Sequence, residues 1–203
     1  ETEKPFKVII DYLETRADVN TNQITSLGVS YGGYLVFRAV SFEKRLAAIA
    51  LSAPMPDAYE WLASGIPFFK ISRISDKNID RLFNVITFFD KGMRMAFEKW
   101  FVRMGVKSFS EVLKVLEKWK VDMSKVDCPV YCLVGEGESD TFKLGAKRAK
   151  EALGDKATYR MATIEEGADG HCQSNNYPML QQLVFDWFEE KLNLTNVKEY
   201  KEK

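Results

Sequence analysis

The chain is 203 residues long, and its 46% hydrophobic and 13% aromatic content is enough to bury a sizeable core, which excludes a disordered class. Its 29 basic and 29 acidic residues cancel, so electrostatics favour neither nucleic acid nor an anionic membrane as a partner. No apolar run approaches the ~20 residues that span a bilayer, and the opening ETEKPFKVII lacks the apolar core of a signal peptide. The expectation is a soluble, cytoplasmic protein.

Residues 4–16 place Phe6, Val8, Ile9, Ile10, Tyr12 and Leu13 among charges, the pattern of an amphipathic helix with Pro5 in its first turn. A polar connector at 19–21 follows. Ile24, Leu27 and Val29 then lead in as a buried strand, and residues 34–40 are apolar nearly all round, as in a helix beneath other layers. The run LAAIALSA at 46–53, ended by Pro54 and Pro56, suits a parallel strand covered on both faces. Strand, helix and strand at this spacing make a βαβ unit.

From 57 to 127 strand signals stop. Tyr59, Trp61, Phe68, Phe69, Phe83, Phe88, Phe89, Met93, Met95, Phe97, Trp100, Phe101 and Met104 recur at helical intervals, broken at Gly65-Ile66-Pro67, Gly92 and Gly105. Ser108-Phe109-Ser110-Glu111 is a capping box that predicts a helix to about 120. The segment reads as a helical insertion over the sheet, a lid whose aromatic and methionine side chains supply core and, in part, substrate contacts.

Strand character resumes in CPVYCLV at 128–134 and runs into the loop GEGESD at 135–140. A helix is predicted over 141–153, stopped by Gly154, then a half-buried strand at 157–163, a polar loop at 165–170, and a last helix entered at Pro178. The tail from 193 is charged and expected to fray. Domain organisation is therefore a core in two pieces, 1–56 and 128–203, around the insertion at 57–127. Cys128, Cys132 and Cys172 are odd in number and lack C-x-x-C spacing, which points to a reducing compartment; Cys128 and Cys132 read as small core residues.

Gly28-Val29-Ser30-Tyr31-Gly32-Gly33 carries the chemistry. The pattern G-x-S-x-G would occur by chance in roughly one chain of this length in fifteen at average usage, but here it lies between a strand and a helix. A serine on such a turn projects its hydroxyl above the sheet edge only if neighbouring side chains are absent, a need that Gly28 and Gly32 meet, while Gly33 lets the helix lie close to the strands. A serine hydroxyl needs a base, and the only histidine is His171, after Gly167-Ala168-Asp169-Gly170. The base needs an acid, and the GEGESD loop is the one that fits: Glu138 first, Asp140 as runner-up, Glu136 third, with Asp169 too close in the chain to His171.

Serine, acid and histidine in that order on alternating strands and helices resemble the α/β-hydrolase superfamily. GVSYGGYLVFRAVSFEKRLAAIALSAP and GADGHCQSNN look like the branch of acylaminoacyl-peptidase and prolyl-oligopeptidase-like enzymes, together with FrsA-like and dihydroxypseudooxynicotine hydrolase-like hydrolases. The resemblance implies an α/β fold with a mostly parallel sheet flanked by helices and a helical lid. It implies Ser30 as nucleophile, His171 as general base and acid, Glu138 (or Asp140) as orienting acid, and the Tyr31 backbone N–H as an oxyanion donor, with no metal or cofactor.

The sequence departs from the family in two places. The acid position more often holds aspartate than the glutamate found here. The family's earlier strands and glycine-rich oxyanion loop have no counterpart before residue 4, so the chain resembles a C-terminal portion, with a second oxyanion donor supplied elsewhere and an open sheet edge that favours association into homo-oligomers. The expected activity is hydrolysis of an ester, amide or peptide acyl bond in a small-molecule or peptide substrate. A noncatalytic ligand-binding protein of the same fold and an acyltransferase with the same triad are the alternatives.

Overall fold

The computed structural model describes residues 3–64 and 74–194. The predicted break at Gly65-Ile66-Pro67, the aromatics Phe68 and Phe69, and the tail from 195 lie outside the described residues. The chain divides into two compact units, one made of Glu1–Pro56 with Val121–Lys203, the other of Asp57–Lys120.

The first unit is built on four parallel strands, β1 (Thr25–Val29), β2 (Ala48–Ser52), β3 (Val130–Gly135) and β4 (Ala157–Ala162), hydrogen-bonded in that order. Helix α1 (Lys4–Glu14) precedes them with Pro5 in its first turn, and α2 (Tyr31–Ala39) joins β1 to β2. Parallel strands need such crossovers, and the helices that supply them cover the sheet. Between β3 and β4 runs α7 (Asp140–Leu153), ended by Gly154 at φ 57°, a left-handed conformation that favours glycine. The last helix is α8 (Tyr177–Leu192), whose cap Asn176 accepts the Met179 N–H through its side chain.

Strand alternation sorts the core onto two faces. Ala48, Ala50, Tyr131 and Leu133 pack with Leu180, Val184, Trp187 and Phe188 of α8, and the Tyr131 and Trp187 rings stack at 5.1 Å. The intervening Ile49, Leu51, Val130, Cys132 and Val134 are fully buried on the opposite side. Both central strands thus lack a solvent face, as the LAAIALSA and CPVYCLV runs predict. The lead-in strand differs. Leu27 is 38% and Val29 36% exposed rather than buried, because β1 is the outermost strand and α8 packs on β2 and β3. The expected alternation of β4 also fails, since Thr158 to Met161 are all partly buried on an edge strand.

Residues 121–127, expected with the helical insertion, belong to the sheet unit. Val121 N–H donates to Pro56 O at 2.9 Å, Ser41 Oγ to Asp122 O at 3.2 Å, and Val126 is fully buried.

The Asp57–Lys120 unit contains α3 (Ala58–Ser64), α4 (Asp76–Phe89), α5 (Lys91–Met104) and α6 (Phe109–Leu116). Its core gathers Ile79, Phe109 and Leu113 with Phe83, Phe97 and Phe101, the Phe83 and Phe109 rings stacking at 4.7 Å and Phe97 meeting Phe109 edge-on at 5.1 Å. Phe88, Phe89 and Met95 are exposed. Gly92 does not break a helix. The break falls at Asp90, whose carboxylate caps α5 by accepting the Met93 N–H, and Gly92 lies within the first turn. Helix α6 ends at Leu116, short of the predicted 120. Its capping box is shifted, with Ser108 Oγ accepting from Glu111 N and Glu111 Oε2 accepting from Lys107 N. Among the described residues no helix is long and apolar enough to cross a membrane.

Candidate active site

Ser30 occupies the one residue between β1 and α2, at φ 52° and ψ −122°. A non-glycine residue in this region is strained and stays there only when its surroundings over-determine it. Here the Ser30 N–H donates to Ser52 O at the end of β2, at 2.9 Å, and the Ser30 carbonyl accepts the Gly33 N–H at 2.8 Å to open α2. The crossing is tight. A Cβ at Gly28 would lie 2.6 Å from Gly32 O and 2.7 Å from Gly33 Cα, so this glycine is obligatory for the turn. A Cβ at Gly33 would lie 3.4 Å from Gly28 O and 3.5 Å from Ser52 O, an ordinary contact distance. Gly32, expected to be equally necessary, has open space where a Cβ would go.

His171 and Glu138 come to Ser30 from two loops at the carboxyl ends of β4 and β3. The loops interlock through their backbones: Glu136 N–H donates to Ala162 O at 2.8 Å and Gly137 N–H to Asp169 O at 3.0 Å. A Cβ at Gly135 would lie 2.1 Å from Asp169 O, so the two loops meet only because residue 135 has no side chain. His171 Nε2 lies 3.0 Å from Ser30 Oγ, and its Nδ1 lies 2.7 Å from Glu138 Oε2. The other oxygen of Glu138 accepts the Cys172 N–H at 2.9 Å. Exposure runs in opposite directions, with the imidazole side chain 50% exposed and the carboxylate 1%. The Phe142 ring of α7 lies 5.1 Å from the imidazole.

The remaining carboxylates considered from the sequence are engaged elsewhere. Asp140, on the first turn of α7, is fully exposed and pairs with Lys143 at 3.4 Å. Glu136 accepts the Ile164 N–H at 2.9 Å, and Asp169 accepts from Asn175 at 3.1 Å. Tyr31, whose backbone N–H was expected as an oxyanion donor, is the first residue of α2, where N–H groups have no intrahelical acceptor.

Three further residues join the site that sequence reasoning did not reach. Ser52 accepts the Ser30 N–H through its carbonyl, Cys172 Sγ approaches the same carbonyl at 3.6 Å, and Gln173, fully buried, accepts the Ser52 hydroxyl at 2.7 Å. Ser52 alone carried a signal, as the polar residue in an otherwise apolar strand. Ligand atoms of Glu138, His171 and Cys172 lie within 4.8 Å of one another, the chemistry of a soft divalent cation site. Yet the sulfur is 3.6 Å from Nε2 and 3.8 Å from Nδ1, off the lone-pair axis of both nitrogens. Burial pushes the Cys172 thiol up to about 11.

No protein-family model and no curated protein matches the sequence. Solved structures do match the fold. A 2,6-dihydroxy-pseudo-oxynicotine hydrolase aligns with a TM-score of 0.63 at 19% identity, over 95% of this chain and 46% of its own. An esterase of Pyrococcus furiosus gives 0.58 at 14% identity, over 93% and 61%, and the acylaminoacyl peptidase of Pyrococcus horikoshii gives 0.55 at 16%, over 96% and 27%. The chain thus has the α/β-hydrolase fold, and it spans less than two thirds of the length of each of these structures.

Proposed function

We propose that the protein is a serine hydrolase cleaving an ester, amide or related acyl bond of a small-molecule or peptide substrate through an acyl-enzyme on Ser30. The observation that carries this reading is the continuous line of hydrogen bonds from Ser30 Oγ to His171 Nε2 at 3.0 Å and from His171 Nδ1 to Glu138 Oε2 at 2.7 Å. With Nδ1–H donated to Glu138, Nε2 turns its lone pair to the serine O–H. Ser30 Oγ then attacks the acyl carbon while its proton passes to Nε2. The imidazolium gives that proton to the departing alcohol or amine as the tetrahedral intermediate collapses, leaving the acyl group on Ser30. Water completes the cycle by the same route: it loses a proton to Nε2, its oxygen attacks the acyl carbon, and Ser30 Oγ recovers the proton as the acid leaves.

In this scheme the Tyr31 N–H, at the positive end of α2, faces the developing oxyanion. Hydrolases among the fold neighbours support the reaction class, and their ester and peptide substrates keep both leaving groups within it.

The test is a fluorophosphonate probe applied to the full-length protein. An adduct on Ser30, absent in Ser30→Ala and strongly slowed in His171→Ala, is expected. No adduct under conditions that label a known esterase would remove the reading and favour a noncatalytic binding protein of this fold. Transfer of the acyl group to an added alcohol or amine in preference to water would move it to acyl transfer.

A further inference from the structure

Gln173 combines three features that folding alone does not require. It is fully buried, yet its Nε2 has no hydrogen-bond partner among the described residues. It follows Cys172 in a pair of left-handed residues, φ 53° and 52°, neither of them glycine. An apolar side chain of equal length would avoid the orphaned amide hydrogens. What the amide gains is one contact, the Ser52 hydroxyl donated to its Oε1 at 2.7 Å.

That contact joins two parts of the site that the chain separates. Ser52 O holds the Ser30 N–H, so Ser52 is the fixed point of the serine-bearing turn. Gln173 lies two residues after His171, and its own N–H closes the loop by donating to Gly170 O at 2.8 Å. Cys172, between them, is tied by its N–H to Glu138 and faces the Ser52 carbonyl through its sulfur. The imidazole itself is half exposed, so its place is set by these anchors beneath it.

We infer that Gln173 is a positioning residue. Its bond to Ser52 sets the His171 loop against the serine turn and thereby the gap between Nε2 and Ser30 Oγ. The inference rests on the serine-hydrolase reading and adds to it a strut that holds base and nucleophile in reach while its left-handed backbone stays in place.

The experiment compares full-length wild type with Gln173→Met, Ser52→Ala, the double variant and Gln173→Glu, measuring the rate of fluorophosphonate labelling at Ser30 as a function of probe concentration, well below each melting temperature. Misplacement by a fraction of an ångström to 1 Å is expected to lower the maximal inactivation rate on the order of 10- to 100-fold. The probe's half-saturating concentration should stay unchanged. The double variant should lose no more than either single one, because one bond is being removed, and Gln173→Glu, whose buried carboxyl carries its proton and still offers a carbonyl acceptor, should recover part of the rate. Labelled wild type with single variants at wild-type rates overturns the inference and leaves the hydrolase reading standing. So do losses that multiply in the double variant. A folded wild type that is never labelled removes both.

Discussion

Glu138 is held at both carboxylate oxygens by consecutive residues of one loop, Oε1 by the Cys172 N–H at 2.9 Å and Oε2 by His171 Nδ1 at 2.7 Å. A carboxylate with a 1% exposed side chain would be costly without such partners, and hydrogen bonds to a charged group contribute about 1.5–3 kcal/mol each. The backbone contact fixes the plane of the carboxylate, and the second oxygen is then already aimed at the imidazole.

This geometry separates the acid candidates experimentally. Glu138→Gln keeps the shape but can turn its amide N–H toward Nδ1, favouring the wrong imidazole tautomer, so kcat for ester hydrolysis should fall by on the order of 10³–10⁴. Asp140→Asn alters an exposed helix-terminal residue and should leave kcat within about twofold. Comparable losses in the two variants would transfer the orienting role away from Glu138.

The glycines of the serine turn are unequal. Gly28→Ala drives a methyl into the Gly32 and Gly33 backbone, which cannot yield as a flexible side chain would, and should cost about 1–3 kcal/mol of stability along with a displaced Ser30. Gly32→Ala meets open space inside α2 and gains helix propensity, so its stability should stay within about 1 kcal/mol of wild type or rise. Urea unfolding of the two variants checks both.

Much of this was legible because the apolar runs are longest and least interrupted where the elements are central. Runs such as LAAIALSA and CPVYCLV have no polar face to confuse the reading, and they gave β2 and β3. The lone His171 and the GEGESD loop narrowed the site to an imidazole within hydrogen-bond reach of Ser30 and a carboxylate within reach of that imidazole. Leu27 and Val29 misled because an edge strand uses the same apolar residues without the cover. Gly92 misled because a glycine in the first turn of a helix leaves no trace distinct from one at a break. Gln173 and Cys172 were out of reach. Their importance comes from left-handed backbone angles and from Ser52, more than a hundred residues away in sequence, neither of which a local pattern encodes.

Glu43 offers a prediction in acid. Its side chain is only 8% exposed and is gripped by Arg45, whose Nε donates to Oε1 at 2.8 Å and whose terminal nitrogen pairs with Oε2 at 2.5 Å. That hydrogen bonding, foremost from the Arg45 side chain, holds the Glu43 carboxyl below its ordinary 4.5. A lowered folded value contributes stability that is present above the unfolded value and lost as pH falls through the folded one. Arg45 also pairs with Asp11 at 2.9 Å and Glu14 at 2.6 Å, so Arg45→Met removes several contacts and leaves Glu43 nearly buried without its cation, held only by the residue-45 backbone N–H that donates to Oε1 at 3.0 Å. A loss of stability at pH 7 is expected, shrinking in acid as Glu43 protonates. Urea midpoints at pH 7 and pH 3.5 measure the difference, and an equal loss at both would sink the argument.

The cysteines make the opposite statement in alkali. All three are free, and burial raises Cys128 and Cys172 from 9.0 to about 11 and Cys132 to about 12. Between the unfolded and folded values the unfolded chain is stabilised by ionising and the folded chain is not. Stability contributed by the buried neutral thiols is therefore complete below pH 9 and is lost as pH rises toward the folded values. Each thiol contributes a slope of up to ~1.4 kcal/mol per pH unit in that window. Cys132, fully buried in β3 between β2 and β4, has the widest window. The free energy of urea unfolding should decline from about pH 9 to about pH 10.5, and Cys132→Val, which fills the site without a titrating group, should flatten the decline. A Cys132→Val variant with an unaltered slope would mean that the thiol ionises in the folded strand as readily as in water, which burial on both faces of the sheet forbids.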